Sequence, residues 1–164
     1  MIEIYTDGAC SGNGKKNAVG GWAFVVVKKG KQEHSEYGGE TGTTNNQMEL
    51  TAVLKALLYF EKNMNLTDTL RIKSDSAYII DCLNKGWYKK WKLNRWKNSS
   101  GEPVKNRELW ENILGSIDNI GKSTIDFIKV KGHRGNKYNE IADVLAVKGA
   151  KEKKMTKCKF KNLY

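Results

Sequence analysis

Proline is almost missing from this 164-residue chain, which carries one, at position 103. No stretch rich in Pro, Gly or Ser interrupts it and no internal repeat is present, so nothing marks a linker between two domains. The length suits a single domain whose core buries roughly 70% of the surface exposed by the unfolded chain. Cysteine is scarce as well. Cys10, Cys82 and Cys158 are odd in number and widely spaced, which argues against a disulfide framework or a zinc site of paired cysteines. That usage fits a reducing compartment, with the cytoplasm as the expected location. Long apolar runs are lacking too: none approaches the ~20 residues that cross a bilayer, so no membrane partner is expected. Met1 leads directly into Ile2-Glu3-Ile4-Tyr5, without the basic and apolar regions of a secretory signal. A hydrophobic content of 39% and five tryptophans exclude a disordered polymer.

What the chain has in excess is positive charge, +11 overall. Residues 85–107 hold eight Lys/Arg against Glu102 alone, and residues 148–164 hold seven Lys against Glu152 alone. The remainder is mildly acidic. Lysines spread over a surface do no more than keep a protein soluble. Segregated patches, one of them interleaved with Trp87, Trp91 and Trp96, point to a polyanion, and to nucleic acid in particular.

The pattern of the chain is mixed α/β. Residues 2–7 alternate as a strand, 19–28 form a longer β-rich run, and 31–40 return as a third strand through a turn at Gly30. Residues 45–61 switch to helical period, with Leu50, Val53, Leu54, Leu57 and Leu58 on one stripe. Thr44-Asn45-Asn46-Gln47 supplies a capping box in front of it. Strands at 69–75 and 124–130 and helices at 77–84, 105–117 and 139–148 complete the reading. Strands first, then alternating elements, imply a five-stranded mixed sheet: a meander at one edge, parallel crossovers at the other, helices on its flanks. The lysine-rich end beyond Gly149 reads as loosely held.

Two strands end in an aspartate, at Thr6-Asp7-Gly8 and Ser74-Asp75-Ser76. Asp7 shares parity with Glu3 and Tyr5, and Asp75 with Arg71 and Lys73, so neighbouring strands would project both acids to one side. Each alone is equally read as the cap of a turn. Glu49 lies four and eight residues before Val53 and Leu57 and so shares the apolar stripe, where a carboxylate is costly unless paired or bound to metal. Helix capping is its rival explanation. Asp143 sits in the first turn of the last helix, a place that favours acids in any case. Four converging carboxylates need a counter-charge. Hard oxygen ligands suit Mg²⁺, with Mn²⁺ as substitute. Two such ions about 3.5–4 Å apart support in-line phosphoryl displacement.

With these residues in place the chain resembles the type 1 ribonucleases H, from Tyr5 to about Ala146. The resemblance rests on TDGACSGN at 6–13, TTNNQMEL at 43–50, SDS at 74–76, VKNRELW at 104–110 and KGHRG with NEIAD at 131–143. It implies the ribonuclease H-like fold and endonucleolytic cleavage of the RNA strand of RNA–DNA hybrids, leaving 3′-hydroxyl and 5′-phosphate ends, with two Mg²⁺ per site. Asp7, Glu49, Asp75 and Asp143 match the family's metal ligands, and His133 its histidine for proton transfer or product departure. Asn13, Asn45 and Asn46 match residues reading the minor groove, where RNA displays its 2′-hydroxyls. Thr44 and Asn106 match a pocket for a phosphate of the DNA strand, and Trp87 and Trp110 the aromatic side of the DNA channel. Cys10 aligns with a substrate-side position and Asn139 with a polar residue near the acids. For Trp110, at helical spacing from Ile113 and Leu114, a core role competes equally, and for Cys10 so does a buried thiol.

The sequence departs from the family at Gly14–Val19, a more basic loop beside Asn13, and at Ala77, where some members carry a glutamine. The resemblance divides the chain into a catalytic domain at 1–150 and a basic extension at 151–164, acting as a monomer without protein partner. Two rivals stand beside it: a DNA nuclease or integrase of the same fold, and a hybrid-binding module without activity. The Asn45-Asn46 pair disfavours the first, and retention of all four acids disfavours the second.

Overall fold

The computed structural model describes residues 1–65, 67–132 and 135–161. Its first three strands, β1 (Ile2–Ser11), β2 (Val19–Lys28) and β3 (Lys31–Thr41), form an antiparallel meander. Helix α1 (Asn45–Asn63) then carries the chain to β4 (Leu70–Ser74), which pairs parallel to β1. Helices α2 (Ala77–Lys85), α3 (Trp87–Leu93) and α4 (Arg107–Ile120) precede β5 (Ile125–Lys129), parallel to β4, and α5 (Lys137–Lys161) ends the described chain. The sheet order is β3-β2-β1-β4-β5. The five-stranded mixed α/β architecture expected from the sequence is the one observed.

Strand parity sorts the core into two layers. Ile2 and Ile4 of β1, Phe24 and Val26 of β2, and Leu70 and Ile72 of β4 are fully buried against a cluster that includes Leu50, Leu57 and Phe60 of α1 and Ile113 of α4. Opposite-parity residues Tyr5, Val25 and Val27 pack with Ala142 of α5. The apolar stripe of α1 therefore faces the sheet, as its period required. The capping box is present in both directions: Thr44 Oγ1 accepts from the Gln47 N–H at 3.2 Å, and Gln47 Oε1 accepts from the Thr44 N–H at 3.1 Å.

Three boundaries differ from the sequence reading. β1 runs on to Ser11, because β2 pairs with it as far as Ser11↔Val19. α4 starts at Arg107, after Asn106 turns the backbone to a φ of +61°. The largest difference is α5, which continues through Gly149 to Lys161 instead of stopping at 148 and fraying. Gly149 is a point of close packing within the helix. A Cβ there would stand 2.2 Å from the Gly38 carbonyl oxygen, so only glycine lets α5 lie this close to the sheet.

Two helical glycines accordingly respond in opposite directions to alanine. Gly149→Ala is expected to cost about 1–3 kcal/mol, since the helix must lift off β3. Gly115 of α4 has nothing within 4 Å of the added carbon, and Gly115→Ala is expected to gain about 0.5–1 kcal/mol from helix propensity. Urea denaturation of both variants checks the pair.

Candidate active site

The parallel pairing of β1 and β4 sets Tyr5 beside Lys73 and Thr6 beside Ser74. Asp75, one residue further on, emerges at the carboxyl end of β4, and Asp7 lies beside it on β1, which runs on paired to β2; ligands bind beyond such strand ends in open α/β sheets. Glu49 joins them from the second turn of α1. Gly8 makes this possible: a Cβ there would lie 2.3 Å from the Glu49 backbone nitrogen. One carboxylate oxygen from each of Asp7, Glu49 and Asp75 lies within 4.8 Å of the others. Asp143, half-buried on α5, stands outside this trio yet near enough for its charge to act on Asp7. His133 lies outside the described residues.

These acids are held against their own charge. Asp7 is 5% exposed and Glu49 8%. Burial first, then the Asp75 carboxylate, raises the pKa of Asp7 from 3.8 to about 7, outweighing the hydrogen bond from the Gly8 N–H at 2.9 Å and a smaller one shared with the Glu49 side chain. Glu49 is pushed up as well, by burial and then by the charges of Asp7 and Asp75. Among the described residues no Lys or Arg pairs with any of the three. The nearest candidate along β4, Lys73, is engaged by Glu3 and by the Tyr5 hydroxyl at 3.1 Å. Glu49 Oε2 is buried with no hydrogen-bond partner. A set of oxygen donors with one orphaned atom and, among the described residues, no paired counter-charge fits a hard divalent cation.

The substrate-side candidates ring this cluster unevenly. Asn13 Oδ1 accepts from the Asn45 N–H at 2.8 Å, which ties the loop after β1 to the head of α1. Asn45 is exposed, and Thr44 and Asn46 are half-buried. Asn106 heads α4 in the left-handed region, and its side chain makes no capping bond. Cys10 is half-buried with Sγ 3.6 Å from the Thr43 carbonyl oxygen, and burial raises its thiol pKa. Asn139 is 3% exposed, its Oδ1 unpartnered, one helical turn before Asp143.

Trp110 requires correction. It is 0% exposed and belongs to the core, so it has no face to offer DNA. Its helical spacing from Ile113 and Leu114 decides the matter, since all three point inward. Nearer the surface lie exposed Tyr78 and half-buried Trp91, whose rings meet Trp110 edge-on at 6.2 and 5.5 Å. Both line a cavity of about 670 Å³ together with Asn46, Asn98 and Lys105. Trp87, half-buried, adjoins Tyr78 at 6.1 Å with the Lys85 ammonium 5.8 Å from its ring. Sequence reasoning passed over Tyr78, although an aromatic in the first turn of the helix after Asp75 was a usable signal.

A mixed sheet with a carboxylate cluster at its strand ends and a basic, aromatic flank defines the class of metal-dependent nucleases. Comparison with known proteins gives the family. A sequence model of the RNase H family matches residues 1–151. The chain is 44% identical over 154 residues to the ribonuclease H of Caldanaerobacter subterraneus subsp. tengcongensis, covering 93% of this chain and 92% of that one. Among solved structures, LC9-RNase H1, described as a type 1 RNase H with the type 2 active-site motif, superposes with a TM-score of 0.74 at 28% identity, over 92% of this chain and 72% of that one. LC11-RNase H1, solved in complex with an RNA/DNA hybrid, shares the fold at a TM-score of 0.66 and 23% identity, over 93% and 98%. The chain belongs to the ribonuclease H family, metal-dependent nucleases that cleave the RNA strand of RNA–DNA hybrids. No described helix is long and apolar enough to cross a membrane.

The raised pKa of Asp7 makes stability depend on pH. The folded state binds a proton more tightly than the unfolded chain, so the associated stability is present below about pH 4 and is lost as pH rises from 3.8 towards about 7. Asp7→Asn removes this loss. In chelator, its melting temperature should match that of the parent near pH 4 and exceed it by about 5 °C at pH 7. Mg²⁺ should narrow that gap by stabilising the parent alone. Thermal melts across pH, with and without metal, measure both effects.

Proposed function

We propose that this chain is an endonuclease that hydrolyses the RNA strand of RNA–DNA hybrids to 3′-hydroxyl and 5′-phosphate ends, with two Mg²⁺ ions held by Asp7, Glu49, Asp75 and Asp143. The observation that carries this reading is the trio of carboxylates, two of them buried, gathered where β4 ends beside β1, with no Lys or Arg paired to them among the described residues. When bound, the ions activate a water and stabilise the leaving oxygen of an in-line displacement.

The chain's own groups supply the rest. Asp7 and Asp75, fixed by strand register, hold the scissile phosphate's surroundings to one geometry, and Glu49, anchored in α1, closes the cluster from the other side. Asn45 and Asn46 present amides to the minor groove, where the RNA 2′-hydroxyls both donate and accept. Thr44 and Asn106 take a phosphate of the DNA strand. The cavity faced by Tyr78 and Trp91, with Lys105 and Glu102 also in its lining, accepts the DNA backbone, aided by the net positive charge of residues 85–107. His133, by its place in the family motif, moves a proton at the leaving or attacking oxygen. A hybrid-bound protein of the same fold, LC11-RNase H1, supports the choice of substrate. Free thiols at Cys10, Cys82 and Cys158 suit a reducing compartment such as the cytoplasm.

Asp75→Asn should lower hybrid cleavage at least about 10³-fold while hybrid binding in the absence of metal persists, and chelator should silence the parent in the same assay. Labelled RNA–DNA, RNA–RNA and DNA–DNA duplexes in parallel test the substrate. Near-normal cleavage by the variant, or equal cleavage of all three duplexes, would sink the reading. His133→Ala should lower turnover about 10²–10⁴-fold with affinity retained. A variant with normal turnover and weakened binding would make this histidine a binding residue.

A further inference from the structure

The continuation of α5 to Lys161 places lysines at and beyond residue 151, where the match to the family model ends. Helical spacing sorts them. Val147, Ala150, Lys151 and Lys154 fall at i, i+3, i+4 and i+7 and share one face. That face closes a cavity of about 320 Å³ with Cys10, Ser11 and Val19 at the ends of β1 and β2, and no acidic residue lines it. Lys148 and Glu152 fall on a different face. The Lys148 ammonium lies 5.2 Å from the Tyr37 ring, and Glu152 Oε1 accepts from the Tyr37 hydroxyl at 3.1 Å, both over β3 at the far edge of the sheet. Lys153 packs on the same side, against Gly39.

The strand beneath the first face is the one that carries Asp7. β4 stops pairing at Thr6↔Ser74, whereas β2 accompanies β1 to Ser11. Beyond Thr6, one edge of β1 therefore carries no strand partner among the described residues. This open edge runs from the acid cluster straight to Ser11, a distance of about 13 Å at 3.3 Å per residue. A nucleic-acid strand held at the acids and following this edge would reach the cavity lined by Lys151 and Lys154. The Thr44–Asn106 side, matched to the DNA strand, belongs to α1 and α4 on the other face of the sheet.

We propose that Lys151 and Lys154, with the mouth of the cavity at Cys10 and Ser11, form a phosphate site for the RNA strand a few nucleotides from the point of cleavage. The inference rests on the hybrid-nuclease reading. It assigns the basic end a located contact, beyond the general attraction of a charged tail. The site works by position, since all seven lysines of 148–164 attract phosphate at a distance but, of these, Lys151 and Lys154 are the two that line the cavity at the strand ends.

The test removes two charges at a time from the full chain. Lys151→Ala with Lys154→Ala is compared with Lys148→Ala with Lys153→Ala, which has the same net charge. Affinity for an RNA–DNA hybrid is measured without divalent metal across a salt series, alongside cleavage in Mg²⁺. The first pair should weaken binding about tenfold at low salt. It should also flatten the slope of log affinity against log salt by about 2, at about 0.9 for each phosphate that the protein no longer neutralises. The control pair should change affinity less than about twofold. Equal effects in the two pairs, or none in the first, overturn the located site. A parent that cleaves hybrid selectively while the pairs behave alike fails this inference alone; a parent that does not cleave hybrid fails the functional reading beneath it.

Discussion

Mutual repulsion among Asp7, Glu49 and Asp75 is the constraint around which this molecule is built. Three carboxylates within 4.8 Å of one another, two of them buried, is an arrangement a protein interior resists. It persists because each acid is held by a different covalent neighbourhood that cannot yield alone. Asp7 is fixed by its pairing to β2 one residue past the end of the β1–β4 ladder, Asp75 follows a strand whose register is shared along five residues, and Glu49 belongs to a helix locked by Thr44 and Gln47 at its head. The two-layered core supplies the stiffness. The same fold that stabilises the chain is loaded, at one end of the sheet, with charge that a divalent cation relieves. Affinity for metal and strain in its absence are two views of one arrangement.

Around that centre the surface divides by sign and by shape. Aromatic rings and lysines gather on the α2–α4 side, where buried Trp110 backs the rings of Tyr78 and Trp91. A tryptophan beneath two other rings limits their rotamers, so the platform reaches a ligand already ordered and little side-chain entropy is lost on contact. On the opposite face α5 brings Asn139 and Asp143 to the acids.

Much of this was legible in the sequence, and the reasons are specific. Strand parity placed Asp7 and Asp75 on one side because period-two alternation survives whatever the rest of the fold does. Glu49 stood out because a charge on an apolar stripe violates the helix's own pattern. The capping box at Thr44 was visible because it is a local contact between residues three apart. What escaped depends on distant neighbours. Trp110 and Tyr78 exchange surface and core roles according to how α2 and α4 lean together, and no local pattern encodes that. Gly149 reads as a helix end in one dimension; the carbonyl of Gly38, more than a hundred residues away, makes it a point of close packing instead. Position 133 drew its role from a motif alone.

The unbroken run of α5 turns the basic end of the chain into a question of phase. A flexible tail is tuned by its length, and one more lysine anywhere along it adds roughly the same attraction. A rigid helix pinned at Gly149 is tuned by angle, because each residue advances its side chain by about 100°. One inserted residue after the pin would swing every later lysine away from the strand ends and towards solvent or β3, with composition and net charge left almost as they were. Drift in this segment is therefore constrained by insertions and deletions more than by exchange of one residue for another.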